Sequence, residues 1–323
     1  MPLISVIIPT HNRAQLVCRT IESVLAQSFT DYEIVVCDDG STDDTQARLA
    51  AYGNRLKVVR GRCRGPGAAR NSAMEVASGQ YVAFLDSDDL WLPWTLETVA
   101  RALRAESQPR CVCHNIVRFK HEASTGNESP LLLLAAASDE LRPEDATAAD
   151  LKIYPDIAAA MEEQLLSTPE IAALLLQDVR HVGGFVEGAL NMEDVDLVLR
   201  LGHLGPVAKI LSPATVLYRV HPDSISHDPA RYLASASLLI NNEVAGRYPA
   251  GTSGIAQRRA TVLRLVRKGM AGGPMSCINL WLRSMRLAFS VECLWPFLMI
   301  TVVVVKRSSI FVKRALLREE IAC

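Results

Sequence analysis

The chain has 323 residues, enough for one large domain or for a domain with a smaller appendage. Its 34 basic and 35 acidic residues leave a net charge of −1, which argues against nucleic-acid binding through a broad basic face, so any basic site is local. The eight cysteines stand mostly in apolar segments without a C-x-x-C pair, which leaves no zinc pattern and reads as buried, reduced thiols.

The first run, residues 3–8, lacks a charged leader, a long apolar stretch and a small-residue cleavage pattern. A cleaved export signal is therefore not expected, and a cytoplasmic location suits the cysteines. Apolar runs at 4–8, 34–37, 56–59 and 81–85 alternate with helix-like stretches at 14–27, 43–52 and 68–78. That alternation predicts βαβ units and an α/β fold, its mainly parallel central sheet flanked by helices. In such sheets ligands bind beyond the carboxyl ends of the strands. The polar segments Pro9-Thr10-His11-Asn12-Arg13, Asp38-Asp39-Gly40-Ser41 and Asp86-Ser87-Asp88-Asp89 all fall there, converging on one edge. Residues 124–163 show no clear period and find no place in this pattern. Order returns with a Gly183-Gly184 turn, an amphipathic helix over 193–203 and a strand inside ATVLYRVH.

Three carboxylates within four positions repel. One of them, Asp88 or Asp89, is expected to cap a helix starting near residues 90–93. The others call for a cation, and Asp-x-Asp lets two side chains on one side of an extended segment reach the same Mg²⁺ or Mn²⁺. Alone, that tripeptide is common by chance. Aspartate-nucleophile phosphatases also carry it at a strand end, but they want a hydroxyl residue where Leu90 stands.

Four ordered motifs change the weight of the signal: SVIIPTHNR, DYEIVVCDDGSTDDT, GPGAARNSAMEVASGQYVAFLDSDD, and GGFVEGALNMEDVDLVLRL followed by YRVH. Over most of residues 3–225 the chain resembles the inverting glycosyltransferase family 2, whose fold is GT-A. The resemblance implies a metal-dependent transferase that moves a sugar from a nucleotide-sugar to a hydroxyl acceptor. It places Thr10, Asn12 and Arg13 at the nucleotide and Asp39 at the base, where a carboxylate accepts the ring N–H of uracil and makes UDP-sugar the default donor. It places Arg70 near the ribose and diphosphate, Asp86 near the ribose or a metal-bound water, Asp88 on the Mn²⁺ or Mg²⁺, and His221 near the metal and diphosphate. Glu193 and Asp194 match the family's Glu-Asp pair below the acceptor, with Asp194 as general base. Their bland reading is compensation of a helix dipole in a first turn, worth a few tenths of a kcal/mol. Arg219 reads either as a phosphate contact or as a solvent-facing cation. Where the family often has Asp after Gly-Gly-Phe this chain has Val186, ahead of Glu187, so the acceptor loop departs from the pattern.

The expected division is a GT-A domain over 1–226 and a helical extension over 227–323. Residues 287–305 are almost entirely apolar, interrupted by Glu292 and Pro296 and flanked by Arg283, Arg286, Lys306 and Arg307. Spanning, lying on and avoiding the membrane all compete, with an interfacial helix at the inner face of the cytoplasmic membrane placed first. That would suit a saccharide or lipid-linked acceptor. The rival to a transferase is a degenerate sugar-nucleotide-binding or membrane scaffold protein.

Overall fold

Strand β1 (Ile4–Thr10) is buried along its whole length because it runs through the middle of the main sheet, with β2 (Tyr32–Asp38) on one side and β4 (Tyr81–Phe84) on the other. Both neighbours are parallel to it, and residue by residue Thr10 lies opposite Asp38. The structure is a computed structural model that describes residues 1–120, 149–163, 168–188 and 192–220, together with 141, 238–239, 241–242 and 245–249. The chain divides into two compact units, Met1–Ser224 and Ile225–Cys323, and the first holds both sheets.

One face of β1, through Ile4, Val6 and Ile8, packs on Val17, Ile21 and Val24 of helix α1 (Ala14–Leu25). The opposite face takes helix α3 (Pro66–Val76), which follows the short helix α2 (Thr45–Ala50) and the edge strand β3 (Lys57–Arg60). Each fully buried isoleucine or valine here contributes about 1.5–3 kcal/mol. A run apolar on both faces is the composition of such a covered strand.

The sheet has eight strands in the order β3-β2-β1-β4-β9-β6-β10-β8, with β6 at Cys111–Cys113, β8 at Asp150–Tyr154, β9 at Ile171–Leu175 and β10 at Val207–Ser212. The first four are mutually parallel, whereas β9 runs antiparallel to both β4 and β6. The sheet is thus mixed beyond β4, an α/β fold with a parallel half that carries the site. A three-stranded sheet, β5 (Leu90–Trp91), β11 (Val216–Val220) and β7 (Ile116–Lys120), accompanies it. Residues 150–163, in the stretch without a readable period, form β8 and helix α5 (Ile157–Glu163); residues 121–140 and 142–148 lie outside the described residues.

The expectation of a helix at 90–93 capped by Asp88 or Asp89 is corrected. Leu90 and Trp91 pair with β11 as a strand, and helix α4 (Thr95–Leu103) begins only afterwards. The side-chain amide of Gln27 explains the detour: Nε2 donates to Ser23 O and Leu92 O while Oε1 accepts from Leu96 N, tying this segment to α1. Of the described cysteines, Cys37, Cys111 and Cys113 are buried and Cys63 is exposed.

Candidate active site

The site is assembled at the carboxyl ends of β1, β2 and β4. After β1 the chain passes Asn12 in a left-handed conformation (φ 51°), a tolerable one for Asn. Asn12 N donates to Ser41 Oγ at 2.8 Å and Thr42 N donates to Asn12 Oδ1 at 2.8 Å, locking the first loop to the second. Thr10 is buried, and among the described residues its hydroxyl has no hydrogen-bond partner.

Asp39 follows β2 and is only 6% exposed. Its two carboxylate oxygens accept backbone N–H groups from Arg64 (3.3 Å) and Gly65 (2.8 Å), at the entry to α3. Gly61 is required beside it, since a Cβ there would come within 2.4 Å of Asp39 Oδ1.

After β4 the backbone turns back on itself, with Asp89 N donating to Asp86 O at 3.0 Å. The three carboxylates of this turn go separate ways. Asp86 Oδ1 accepts from Arg70 Nη2 at 2.7 Å, Asp88 Oδ2 meets Arg13 Nη1 at 2.6 Å, and the buried Asp89 accepts the backbone N–H of Arg219 at 2.9 Å. Burial, followed by the charges of Asp86 and Asp88, holds the Asp89 carboxyl well above the usual range. Pairing with Arg70 and Arg13 offsets the repulsion at Asp86 and Asp88, while Asp89 still feels both charges.

Arg70 is the hub. Its side chain is 4% exposed, Nη1 donates to Glu193 Oε1 at 2.7 Å while Nη2 holds Asp86, and its guanidinium lies 5.3 Å from the Phe185 ring centroid. Burial works against its charge, but Asp86, Glu193 and Asp194 outweigh burial and raise its pKa. The resemblance puts Arg70 near the ribose and diphosphate; in the structure it is a buried tie between two acids. Glu193 likewise is buried against Arg70, its carboxyl raised by burial, lowered by Arg70 and raised again by Asp194.

After the short helix α6 (Leu176–His181), Glu193 and Asp194 open helix α7 (Glu193–Leu201), immediately behind Met192 at φ 61°. A left-handed non-glycine costs on the order of 1 kcal/mol and turns the chain sharply into the helix. Asp194 is half-buried, and its Oδ1 accepts Val195 N at 2.7 Å. Gly67 lets α3 approach: a Cβ there would sit 2.8 Å from Val186 O and 3.2 Å from Glu193 Cγ.

Sequence reasoning missed the groups that hold the loop at residues 185–187. Asn71 Nδ2 donates to Phe185 O and its Oδ1 accepts Phe185 N, both at 2.8 Å, and exposed Arg64 pairs with Glu187 at 2.5 Å. An Asn directly after Arg70, amid the small residues of α3, was the available signal. The structure brings Asp86, Arg70, Glu193 and Asp194 together, with Arg13 and Asp88 adjoining through the turn. His221 lies outside the described residues. Among those residues no three His, Cys, Asp or Glu groups converge as a ready-made metal site.

Residues 5–145 match the model of glycosyl transferase family 2. A UDP-Glc:α-D-GlcNAc-diphosphoundecaprenol β-1,3-glucosyltransferase of Escherichia coli, WfgD, is 39% identical over 97 residues, covering 29% of this chain and 38% of that protein. The chondroitin synthase of Escherichia coli is 31% identical over 216 residues, covering 65% of this chain and 28% of the synthase. Each alignment thus spans well under half the length of the curated relative. In fold, S. aureus TarS 1–349 in complex with UDP-GlcNAc superposes with a TM-score of 0.62 at 19% identity, over 89% of this chain and 81% of that one. The fold is GT-A, and residues 5–145 carry the match to glycosyl transferase family 2.

Proposed function

We propose that the protein is a metal-dependent inverting glycosyltransferase that moves a sugar from a nucleotide-sugar, UDP-sugar by default, to a hydroxyl of a saccharide or lipid-linked acceptor. One observation carries the reading: Arg70 joins Asp86 of the strand-end turn to Glu193, the residue beside Asp194, so the donor motif and the Glu-Asp helix share one place.

Asp194 removes the proton of the acceptor hydroxyl as that oxygen attacks the anomeric carbon opposite the departing diphosphate. The new C–O bond forms as the bond to the diphosphate oxygen breaks, its electron pair leaves with the nucleoside diphosphate, and configuration inverts. Arg70 keeps Asp86 and Glu193 in place during this, a positioning role in keeping with its burial. Asp39 spends one lone pair of each oxygen on backbone N–H groups and retains others for the uracil N–H. Thr10, Asn12 and Arg13 frame the nucleotide.

Asp86 and Asp88 offer hard oxygens, the donor set suited to Mg²⁺ or Mn²⁺. Two carboxylates are enough for an ion that keeps waters and takes its other oxygens from substrate phosphates. Such an ion supplies neutralisation of charge on the leaving diphosphate.

The lipid-linked acceptor is supported by the diphosphoundecaprenol substrate of the WfgD relative. Among the described residues no helix is long and apolar enough to cross a membrane, and residues 287–305 lie outside them. The apolar stretch with basic flanks supports contact with the inner face of the cytoplasmic membrane. Deleting the residues after Arg283 is expected to abolish sedimentation with anionic vesicles.

The function is tested by a thermal-shift screen of UDP-, GDP- and dTDP-sugars with Mn²⁺, because a ligand of the folded state raises Tm by mass action. The best stabiliser is then assayed for release of its nucleoside diphosphate. Stabilisation without release under any acceptor would return the sugar-nucleotide-binding scaffold.

A further inference from the structure

Acidic and basic residues nearly cancel over the chain, but not locally. Between residues 55 and 64 stand Arg55, Lys57, Arg60, Arg62 and Arg64, with no Asp or Glu among them. They run along strand β3, an edge of the eight-stranded sheet, and its two flanks, and all five are exposed. Lys57 meets Glu33 at 2.6 Å, and Arg64 meets Glu187. Arg55 lies over the Tyr52 ring at 5.0 Å, and neither it nor Arg60 nor Arg62 has an ion-pair partner among the described residues. Three cations stand uncompensated.

Apolar groups are set among them. Val58 is 50% exposed between Lys57 and Arg60, and Val76, 44% exposed at the end of α3, accepts a hydrogen bond from Lys57 Nζ on its carbonyl. Side chains alternate along a strand, so Val58 and Arg60 share one face of β3 while Lys57 takes the other.

Charge on an edge strand deters pairing with another chain, but acids would serve that end as well. A row of one sign, spread at about 3.3 Å per residue along an edge, fits an extended negative surface better than a single anion. A soluble polyanion would satisfy the arginines and gain nothing from the valines. The boundary between anionic headgroups and acyl chains accepts both. The place in the fold agrees: β3 leads through Gly61 to Arg64 and Gly65, whose backbone N–H groups hold Asp39, so a bilayer against this edge lies beside the mouth of the site.

We propose that the β3 edge is a docking surface for an anionic phospholipid bilayer, with Arg55, Arg60 and Arg62 on the headgroups and Val58 at the acyl boundary. The inference deepens the lipid-linked reading of the acceptor and rests on it for the presence of a membrane, through residues that the reaction does not use. Such attraction is weak alone, and stable association takes two signals. The apolar stretch at 287–305 is the other signal, so loss of either releases the protein.

The test uses the full chain with vesicles of phosphatidylcholine alone or in a two-to-one mixture with phosphatidylglycerol. Each arginine near an anionic surface strengthens binding about fivefold, so the triple variant Arg55→Gln, Arg60→Gln, Arg62→Gln should partition roughly a hundredfold more weakly onto the mixed vesicles. The wild-type preference for them should fade at high salt. Val58→Thr keeps a strand former but places a hydroxyl at the boundary, and should weaken partitioning a few-fold. Tm and UDP affinity of the triple variant should stay close to wild type, because the replaced side chains are exposed and outside the site. Partitioning equal to wild type in the triple variant, with UDP still bound, overturns this inference and leaves the proposed function standing. Loss in the triple variant without loss in Val58→Thr marks a surface for a soluble polyanion and overturns the bilayer assignment. Charge-dependent docking by a protein that binds no nucleotide-sugar supports the surface and overturns the proposed function.

Discussion

Arg70 and Glu193 meet at 2.7 Å across 123 positions of sequence, and the other arm of the same guanidinium reaches Asp86. One buried cation therefore fixes the distance between the turn after β4 and the helix that begins with Glu193 and Asp194. Breaking a buried pair by deleting one partner leaves uncompensated charge and costs about 3–5 kcal/mol.

Arg70→Ala is accordingly expected to lower Tm strongly. Arg70→Lys, which keeps the charge but offers a point in place of a fork, is expected to fold and to lose at least about tenfold in turnover. Thermal unfolding and single-turnover rates measured together decide it; full activity in the lysine variant would show that the bridge does not position the site.

Asp194→Asn removes the proton acceptor while preserving shape. Nucleotide affinity should stay within a few-fold, and transfer should fall about 10²–10⁴-fold, the usual contribution of a general base. Near-normal turnover would move the base elsewhere.

Asp88→Ala takes away one hard-oxygen donor and leaves Arg13 without its 2.6 Å partner. The Mn²⁺-dependent part of UDP affinity should disappear in calorimetry. An unchanged dependence on Mn²⁺ would refute the assignment of Asp88 to the ion.

Two groups outside the candidate site should govern acid stability. Burial opposes the charge of Glu33, but hydrogen bonds from Lys57, Ser5 and Ser78 prevail and lower its carboxyl from 4.5 to about 2. A depressed acid contributes stability that is present above its unfolded pKa, here lost as pH falls from about 4.5 towards 2. His114, fully buried with Nδ1 2.9 Å from Thr215 Oγ1, is pushed by burial from 6.5 to about 3. The unfolded chain takes up that proton first, so stability declines as pH falls from 6.5 towards about 3, a window that opens higher than that of Glu33. His114→Leu should flatten the decline in Tm between about pH 6 and pH 5, and Glu33→Gln should not; the reverse pattern in a pH series of melts would contradict both.

The inner parallel strands β1, β2 and β4 were legible because they are buried along most of their length and read as apolar runs, as in residues 4–8, 34–37 and 81–85, whereas the edge strand β3 is largely exposed. The strands at Cys111–Cys113, Ile171–Leu175 and Val207–Ser212 were not legible, being short and stable only through partners distant in sequence. Leu90 and Trp91 show the same limit in small: near a proline and after acids they suggest a helix start, and β11 claims them as a strand.

By itself the sequence determined where polar residues leave the core, because a strand buried on both faces can change character only at its ends. It could not decide how those residues pair. Whether three neighbouring aspartates share one cation or find three different partners depends on Arg13, Arg70 and the backbone of Arg219, which chain order keeps apart and only folding brings within hydrogen-bond reach. Hydrogen bonds and ion pairs act over a few ångströms, and that range is set by tertiary packing.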